Sequence, residues 1–415
     1  MNKKCISLVI LICASLVLIV NCGKETPSGL TEGLNFYRQN QLEEASSAFE
    51  RAIKEDKTNA DAYAWLGETY RRLNLKEKAL IMAGKALELD SCHSFAHTII
   101  GTAYNPMYGE WKNADSDSAW YYLLKAVECD STDGNAWIGV WPEAIRRGNR
   151  VKEKKALRSL IESGFLTPAI LAYNRWMLRY LPENSILLTN GDMDTYPAVA
   201  LQEVENYCPD VVVVNYSLLN TAWYARFLRD QYGVKLPFTD TELENLRPYK
   251  NDNGRLITSA QQIMKEWTKM HKSGSFRHPI AISVTVEDLS FADDSQDHLR
   301  MEGAFSLWLP NPAESPQDTS MMRISLEGVN PEDFTGSFVS SQDRSSVRIV
   351  ASNRIVTNIT ALALRYCKTL LESKRISEAN NILLWAEQFE NNTKVGPVFS
   401  QEIQKLKEEI YQDNK

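Results

Sequence analysis

A chain of 415 residues, 44% hydrophobic and 10% aromatic, is long enough for two or three cored domains and too apolar for a disordered polymer. Its formal net charge of -7, with no basic cluster, excludes the electrostatic footprint of a nucleic-acid binder. Beyond residue 22 the cysteines Cys92, Cys129, Cys208 and Cys367 are dispersed without C-x-x-C spacing, so no metal cluster is expected. Cys92 and Cys129 lie near the ends of neighbouring repeats. Either they are oxidised to each other in an exported chain, or they are buried free thiols.

The N-terminus opens with Lys3 and Lys4, followed by an apolar run from Cys5 to Val20. That run is shorter than the roughly 18 residues read as a membrane-spanning helix. It ends in Ile19-Val20-Asn21-Cys22, which resembles a bacterial lipobox, although Asn21 replaces the usual small residue. The resemblance implies a signal peptide at 1–21, acyl chains such as palmitate on Cys22, and a lipid-anchored envelope protein. Gly23, in place of an aspartate, implies sorting to the outer membrane. An ordinary secretory signal, or a membrane anchor with Cys22 incidental, is the other reading.

Residues 60–93 carry Tyr63, Leu66, Gly67 and Tyr70, then Ala79, Ala83 and Ala86. Gly33, Phe36, Ala45, Phe49 and Ala52 stand at equivalent offsets before them. A third copy has Ile100-Gly101, Tyr104, Ala119, Leu123 and Ala126, with an insertion between Asn105 and Ser116. A fourth, from Gly134, keeps Trp137 and Gly148 but places Trp141 where the close-packing glycine belongs. Small residues let two helices approach, and aromatics fill the groove to the next pair. The pattern resembles the tetratricopeptide family over residues 26–165, and the repeat domain is set at 22–165. The resemblance implies a protein partner bound on a concave face; the alternative is an array that only supports the next domain.

From Thr167 the texture changes. Pro168 to Leu181 reads as a helix, Ser185 to Thr189 as a buried strand, and Tyr196 to Tyr207 as a helix. Asp210 to Asn215 is a second strand, rich in β-branched residues. Asn220 to Tyr232 and Thr258 to His271 are helical, His278 to Val286 is a third strand, and Gly303 to Leu309 is a fourth. Strands alternating with helices predict a mainly parallel, Rossmann-like α/β domain at 166–346. Pro310 to Ser346 reads as a long loop, and residues 347–415 as C-terminal helices. Within that tail Lys374 to Ala379 looks like one more repeat-type turn.

The string Ile186-Leu187-Leu188-Thr189-Asn190-Gly191-Asp192-Met193-Asp194-Thr195-Tyr196-Pro197, the stretch Leu201 to Glu205 and the stretch Asp210 to Tyr224 resemble one known module. Arg277 to Val286 and Leu299 to Gly303 fit it too. The module is the soluble C-terminal domain of a family of large bacterial membrane proteins, of unknown function and related to protein O-mannosyltransferases. The likeness covers roughly residues 165–390 and lacks the membrane portion. It therefore implies association with a glycosyltransferase-type system without transferase chemistry.

Ligands of open parallel sheets bind beyond the carboxyl ends of the strands. Asn190, Asp192, Asp194 and Thr195 follow the first strand; Asn215, Ser217, Asn220 and Thr221 follow the second. Asn190, Asp192, Asp194, Asn215 and Asn220 are accordingly the candidate ligand-binding residues, expected to share one crevice. Asp192 and Asp194 form a D-x-D, whose oxygens suit a hard cation, or else they cap the next helix. No P-loop, G-x-G-x-x-G, G-x-S-x-G or H-E-x-x-H occurs, so no catalytic residue, metal or cofactor is assigned. The expected function is a non-enzymatic envelope scaffold with a ligand-binding α/β domain. The alternative is a metal-dependent enzyme acting on a glycan or phosphate ester through Asp192 and Asp194.

Overall fold

The computed structural model describes residues 28–108, 112–286, 298–311, 319–334, 346–393 and 398–413. The signal segment, Cys22 and Gly23 lie outside the described residues. Eight helices form four antiparallel hairpins: α1 (Gly29–Arg38), α2 (Leu42–Glu55), α3 (Ala60–Arg72), α4 (Lys76–Leu89), α5 (Ser94–Tyr104), α6 (Ser116–Cys129), α7 (Gly134–Arg146) and α8 (Arg150–Glu162). The first helix of each hairpin is capped by a side chain, from Ser28, Asn59, His93 and Asp133 in turn, which accepts from a backbone N–H of the first turn. The glycines act by closeness. A Cβ on Gly67 would come within 3.2 Å of the Ala79 carbonyl, and one on Gly101 within 3.1 Å of the Ala119 carbonyl. Cys92, in the turn before α5, is disulfide-bonded to Cys129 at the end of α6. The oxidised alternative is therefore the one observed.

Behind the repeats come α9 (Pro168–Arg179), β1 (Ile186–Thr189), α10 (Asp192–Glu205), β2 (Val212–Asn215), α11 (Ala222–Tyr232) and α12 (Asp240–Asn245). A two-residue ladder, β3 (Tyr249–Lys250) with β4 (Leu256–Ile257), precedes α13 (Ser259–Lys272), β5 (Ile280–Ser283), β6 (Leu299–Met301) and β7 (Phe305–Trp308). Among the described residues the main sheet has five strands in the order β2-β1-β5-β7-β6. β1 runs parallel to β2 and to β5, whereas β7 runs antiparallel to both β5 and β6. The expectation of a mainly parallel, Rossmann-like sheet thus holds for one side only, and the sheet is mixed. Between Met301 and Phe305 there is no room for the dozen or so residues of a parallel crossover, so the chain returns antiparallel.

Both faces of the sheet are covered. Ile186, Leu188, Val212, Val214, Ile280 and Ile282 pack with Leu228 of α11 and Ile263 and Trp267 of α13. Leu187, Val213 and Ala281 belong to the opposite core, with Met177 of α9 and Leu201 of α10. The chain closes with α14 (Ser320–Glu327), α15 (Ser346–Glu372), α16 (Ile376–Asn392) and α17 (Ser400–Asp413).

That opposite core is continuous across the boundaries drawn at 165/166 and 346/347. It runs from Leu123, Trp137 and Leu160 of the repeats, through the sheet, to Ile359, Leu383 and Leu406. At the seam α10 packs on α8, the Tyr196 hydroxyl donates to the Ile138 carbonyl at 3.2 Å, and Trp141 lies 4.8 Å from the Tyr196 ring. Trp141 departs from the repeat pattern because it packs on the α/β unit. The α/β unit covers the last hairpin as a terminal cap does in a repeat array. The turn between α15 and α16 repeats the same geometry. Lys374 has φ 59°, as Asn74 does, and the Arg375 N–H donates to Leu370 at 2.8 Å, as Leu75 does to Tyr70. Ala379, Leu383 and Ala386 are buried in the positions of Ala79, Ala83 and Ala86.

Candidate functional site

β1 sits between its two parallel partners, so the chain leaves it first toward β2 and later crosses to β5 on the other side. The carboxyl ends of β1 and β5 therefore form the topological switch point, the usual crevice of an open α/β sheet. Gly191 links β1 to α10 with φ 118° and ψ -156°, a conformation that only glycine adopts without strain. This lets α10 begin two residues after the strand ends and turns its third residue, Asp194, back over the loop.

Asp194 is buried, with 1% of its surface exposed. Its carboxylate accepts the backbone N–H of Asn190 at 2.9 Å and the hydroxyl of Thr285. The Asn190 amide in turn donates to the Thr285 carbonyl at 3.0 Å, tying the β1 loop to the segment after β5. Burial pushes the Asp194 carboxyl up to about 6, against the hydrogen bonds from Thr285, Asn190 and Ser283 that favour its charged form. A second layer extends sideways. The Thr189 and Thr195 hydroxyls are 2.6 Å apart, and the Asn215 amide donates to Thr195 Oγ1 at 3.0 Å. Asn215 also accepts the Leu218 N–H through its Oδ1 at 2.9 Å.

The structure thus ties Asn190 to Asp194 in one hydrogen-bonded cluster and sets Asn215 in a neighbouring one with Thr189 and Thr195, both at the strand ends. It does not bring in the other two. Asp192 is exposed in the first turn of α10, and Asn220 turns to accept the Ala260 N–H at 3.0 Å, at the start of α13. The two aspartates therefore sit in opposite environments, and among the described residues no group of three or more His, Cys, Asp or Glu is placed to hold a metal ion. Chemically, the network offers a buried carboxylate that takes up a proton near pH 6, surrounded by hydroxyls. Sequence reasoning missed Ser283 and Thr285. Their signal was the same polar texture, Ser283-Val284-Thr285, directly after the apolar strand Ile280 to Ile282.

Among the described residues, cavities also lie away from these side chains. One of about 610 Å³ runs beside α9, and one of about 250 Å³ lies between α14 and the α15–α16 hairpin.

A family model described as a TMEM260-associated domain 2 matches residues 171–359, and a tetratricopeptide-repeat model matches residues 33–74. No curated protein sequence matches the chain. Among solved structures, a thermophilic repeat protein of Thermus thermophilus is 18% identical over 52% of this chain and 94% of its own, with a TM-score of 0.32. A tetratricopeptide repeat protein from Parabacteroides merdae is 20% identical over 51% of this chain and 75% of its own, with a TM-score of 0.29. The chain thus carries tetratricopeptide repeats in its N-terminal half and, behind them, a region similar to TMEM260-associated domain 2.

Proposed function

We propose that this chain is an exported interaction scaffold of the cell envelope, lipid-anchored through Cys22 in the outer membrane. Its repeats hold a protein partner, and its α/β unit meets a ligand or a component of an envelope-assembly or glycosylation system. The observation that carries this reading is the seam between α8 and α10, where repeats and α/β unit share one core. A partner bound on the repeats is thereby held in a set orientation to the strand-end clusters of Asn190, Asp194 and Asn215. The Cys92–Cys129 bond supports export, because such bonds persist in oxidising compartments.

Fractionation of cells expressing Cys22→Ala tests the anchor. Two acyl signals or more give stable membrane attachment, so the variant is expected in the soluble periplasmic fraction while the parent pellets with outer membranes. A variant that still pellets after a high-salt wash removes the lipid from the proposal. Cross-linking in the native envelope tests the scaffold: the partner's adducts are expected on α1 to α7 and disappear with Gly67→Leu. Adducts confined to the α/β unit reject the repeats as the docking element.

A further inference from the structure

The cavity beside α9 belongs neither to the strand-end network nor to the repeats. One wall is α9, which presents Arg175 and Arg179 one turn apart; the facing wall, residues 328–334, presents Glu332 and Asp333. Both walls are fixed. Trp176 of α9 donates its indole N–H to the Ser325 carbonyl at 2.7 Å, and a Cβ on Gly328 would lie 1.9 Å from the Tyr180 hydroxyl, so the second wall is pressed against the end of α9. A preformed cavity of about 610 Å³ is in the size range of small-molecule sites, roughly 300–1,000 Å³.

Its charges are separated. Arg175 is held by Glu205, 3.1 Å from its Nε. Arg179 has no carboxylate partner among the described residues and hydrogen-bonds the Tyr207 hydroxyl. On the other wall Asp333 accepts from the Asn330 amide at 3.2 Å and has no cationic partner among the described residues. A guanidinium and a carboxylate thus face one cavity without pairing with each other. Between them lie the buried apolar side chains of Leu171, Trp176, Val329 and Phe334.

We propose that this cavity binds a zwitterionic peptide of two or three residues. Its terminal carboxylate meets Arg179, its ammonium meets Asp333, and its aliphatic side chains cover Trp176 and Phe334. Opposite charges on opposite walls select a molecule with the complementary dipole. The proposal is independent of the scaffold reading: loss of the repeat partner leaves the cavity intact.

The test is calorimetric titration of the full-length chain in detergent at pH 7 with leucyl-leucine, N-acetyl-leucyl-leucine, which lacks the ammonium, and leucyl-leucinamide, which lacks the carboxylate. Leucyl-leucine is expected to bind saturably and at least tenfold tighter than either derivative. Arg179→Gln is expected to weaken leucyl-leucine about tenfold and leave the amide unchanged, whereas Asp333→Asn weakens leucyl-leucine and leaves the acetylated peptide unchanged. Both side chains are exposed, and a thermal melt verifies that the variants remain folded. Ala172→Trp, which fills the cavity, is expected to abolish binding. Absence of saturable binding, equal affinity for all three peptides, or binding that survives Ala172→Trp overturns the proposal.

Discussion

The repeat half and the α/β half are stabilised by contacts of different range. In α1 to α6 each helix packs chiefly on its sequence neighbour, and the residues that set the spacing, such as Gly67 against Ala79 and Gly101 against Ala119, lie within one repeat. In the α/β half the decisive contacts join distant segments. Ile186 pairs with both Val212 and Ile280, and Asp194 accepts from Thr285. The repeats therefore tolerate being read one unit at a time, whereas the α/β unit exists only as a whole. The seam at α8 and α10 belongs to the second kind.

Cutting the chain at the seam separates the two kinds of contact. A fragment of residues 166–415 exposes Tyr196 and the part of the core completed by Trp137, Trp141 and Leu160, so it is expected to aggregate. A fragment of residues 134–415 keeps α7 and α8 and is expected to remain soluble with a cooperative thermal transition. A soluble, cooperatively melting 166–415 fragment shows instead that the α/β unit is self-sufficient. On the full chain, Trp141→Ala is expected to cost about 3–5 kcal/mol by denaturant titration, as for other buried tryptophans.

Reduction of Cys92–Cys129 is next in size. The bond joins the end of the second repeat to the end of the third across a sequence separation of 37 residues, and such closures contribute about 2–4 kcal/mol. Cys92→Ala is expected to lower the unfolding free energy of the repeats by that amount and to make their midpoint insensitive to reductant. An unchanged midpoint in the parent with and without reductant shows that the bond adds nothing.

Gly67→Leu places side-chain atoms where only 3.2 Å separates a Cβ from the Ala79 carbonyl and the Ala83 nitrogen. Overpacking of this kind costs about 1–3 kcal/mol, read as a lowered melting temperature by circular dichroism. If local packing governs the repeats, the same substitution at Gly84, which has nothing within 4 Å of its Cβ position, changes stability far less. Equal losses at both positions contradict the close-approach account.

The smallest effect is expected at Asp194, and it depends on pH. Its folded carboxyl is raised from 3.8 to about 6, so between those values the folded chain binds the proton more tightly than the unfolded one. This stabilising contribution is fully present below about pH 4 and is lost as pH rises through about 6. Asp194→Asn keeps an acceptor oxygen over Asn190 and removes the group that titrates. It is therefore expected to flatten the slope of stability against pH between 4 and 6, with midpoints measured in buffered denaturant series. If the Asp194 variant keeps the parent slope, another group carries the titration.

The repeats are legible in the residues alone, because glycine, alanine and aromatic positions recur where neighbouring helices touch. So are β1, β2 and β5, whose apolar runs Ile186–Leu188, Val212–Val214 and Ile280–Ile282 are buried on both faces. What the residues alone left open was decided by contacts between segments far apart in the chain. Pairing of β7 with β5 and β6 made the sheet mixed. Packing of α10 on α8 merged what composition alone separates, and gave Trp141 its place. The D-x-D shows the same limit at the level of single residues. Asp192 and Asp194 are two positions apart in one helical turn, and it is the tertiary packing, with Thr285 arriving from the loop after β5, that buries one carboxylate while the other stays in solvent. Spacing places side chains on a helix, but burial depends on what the rest of the chain brings against it.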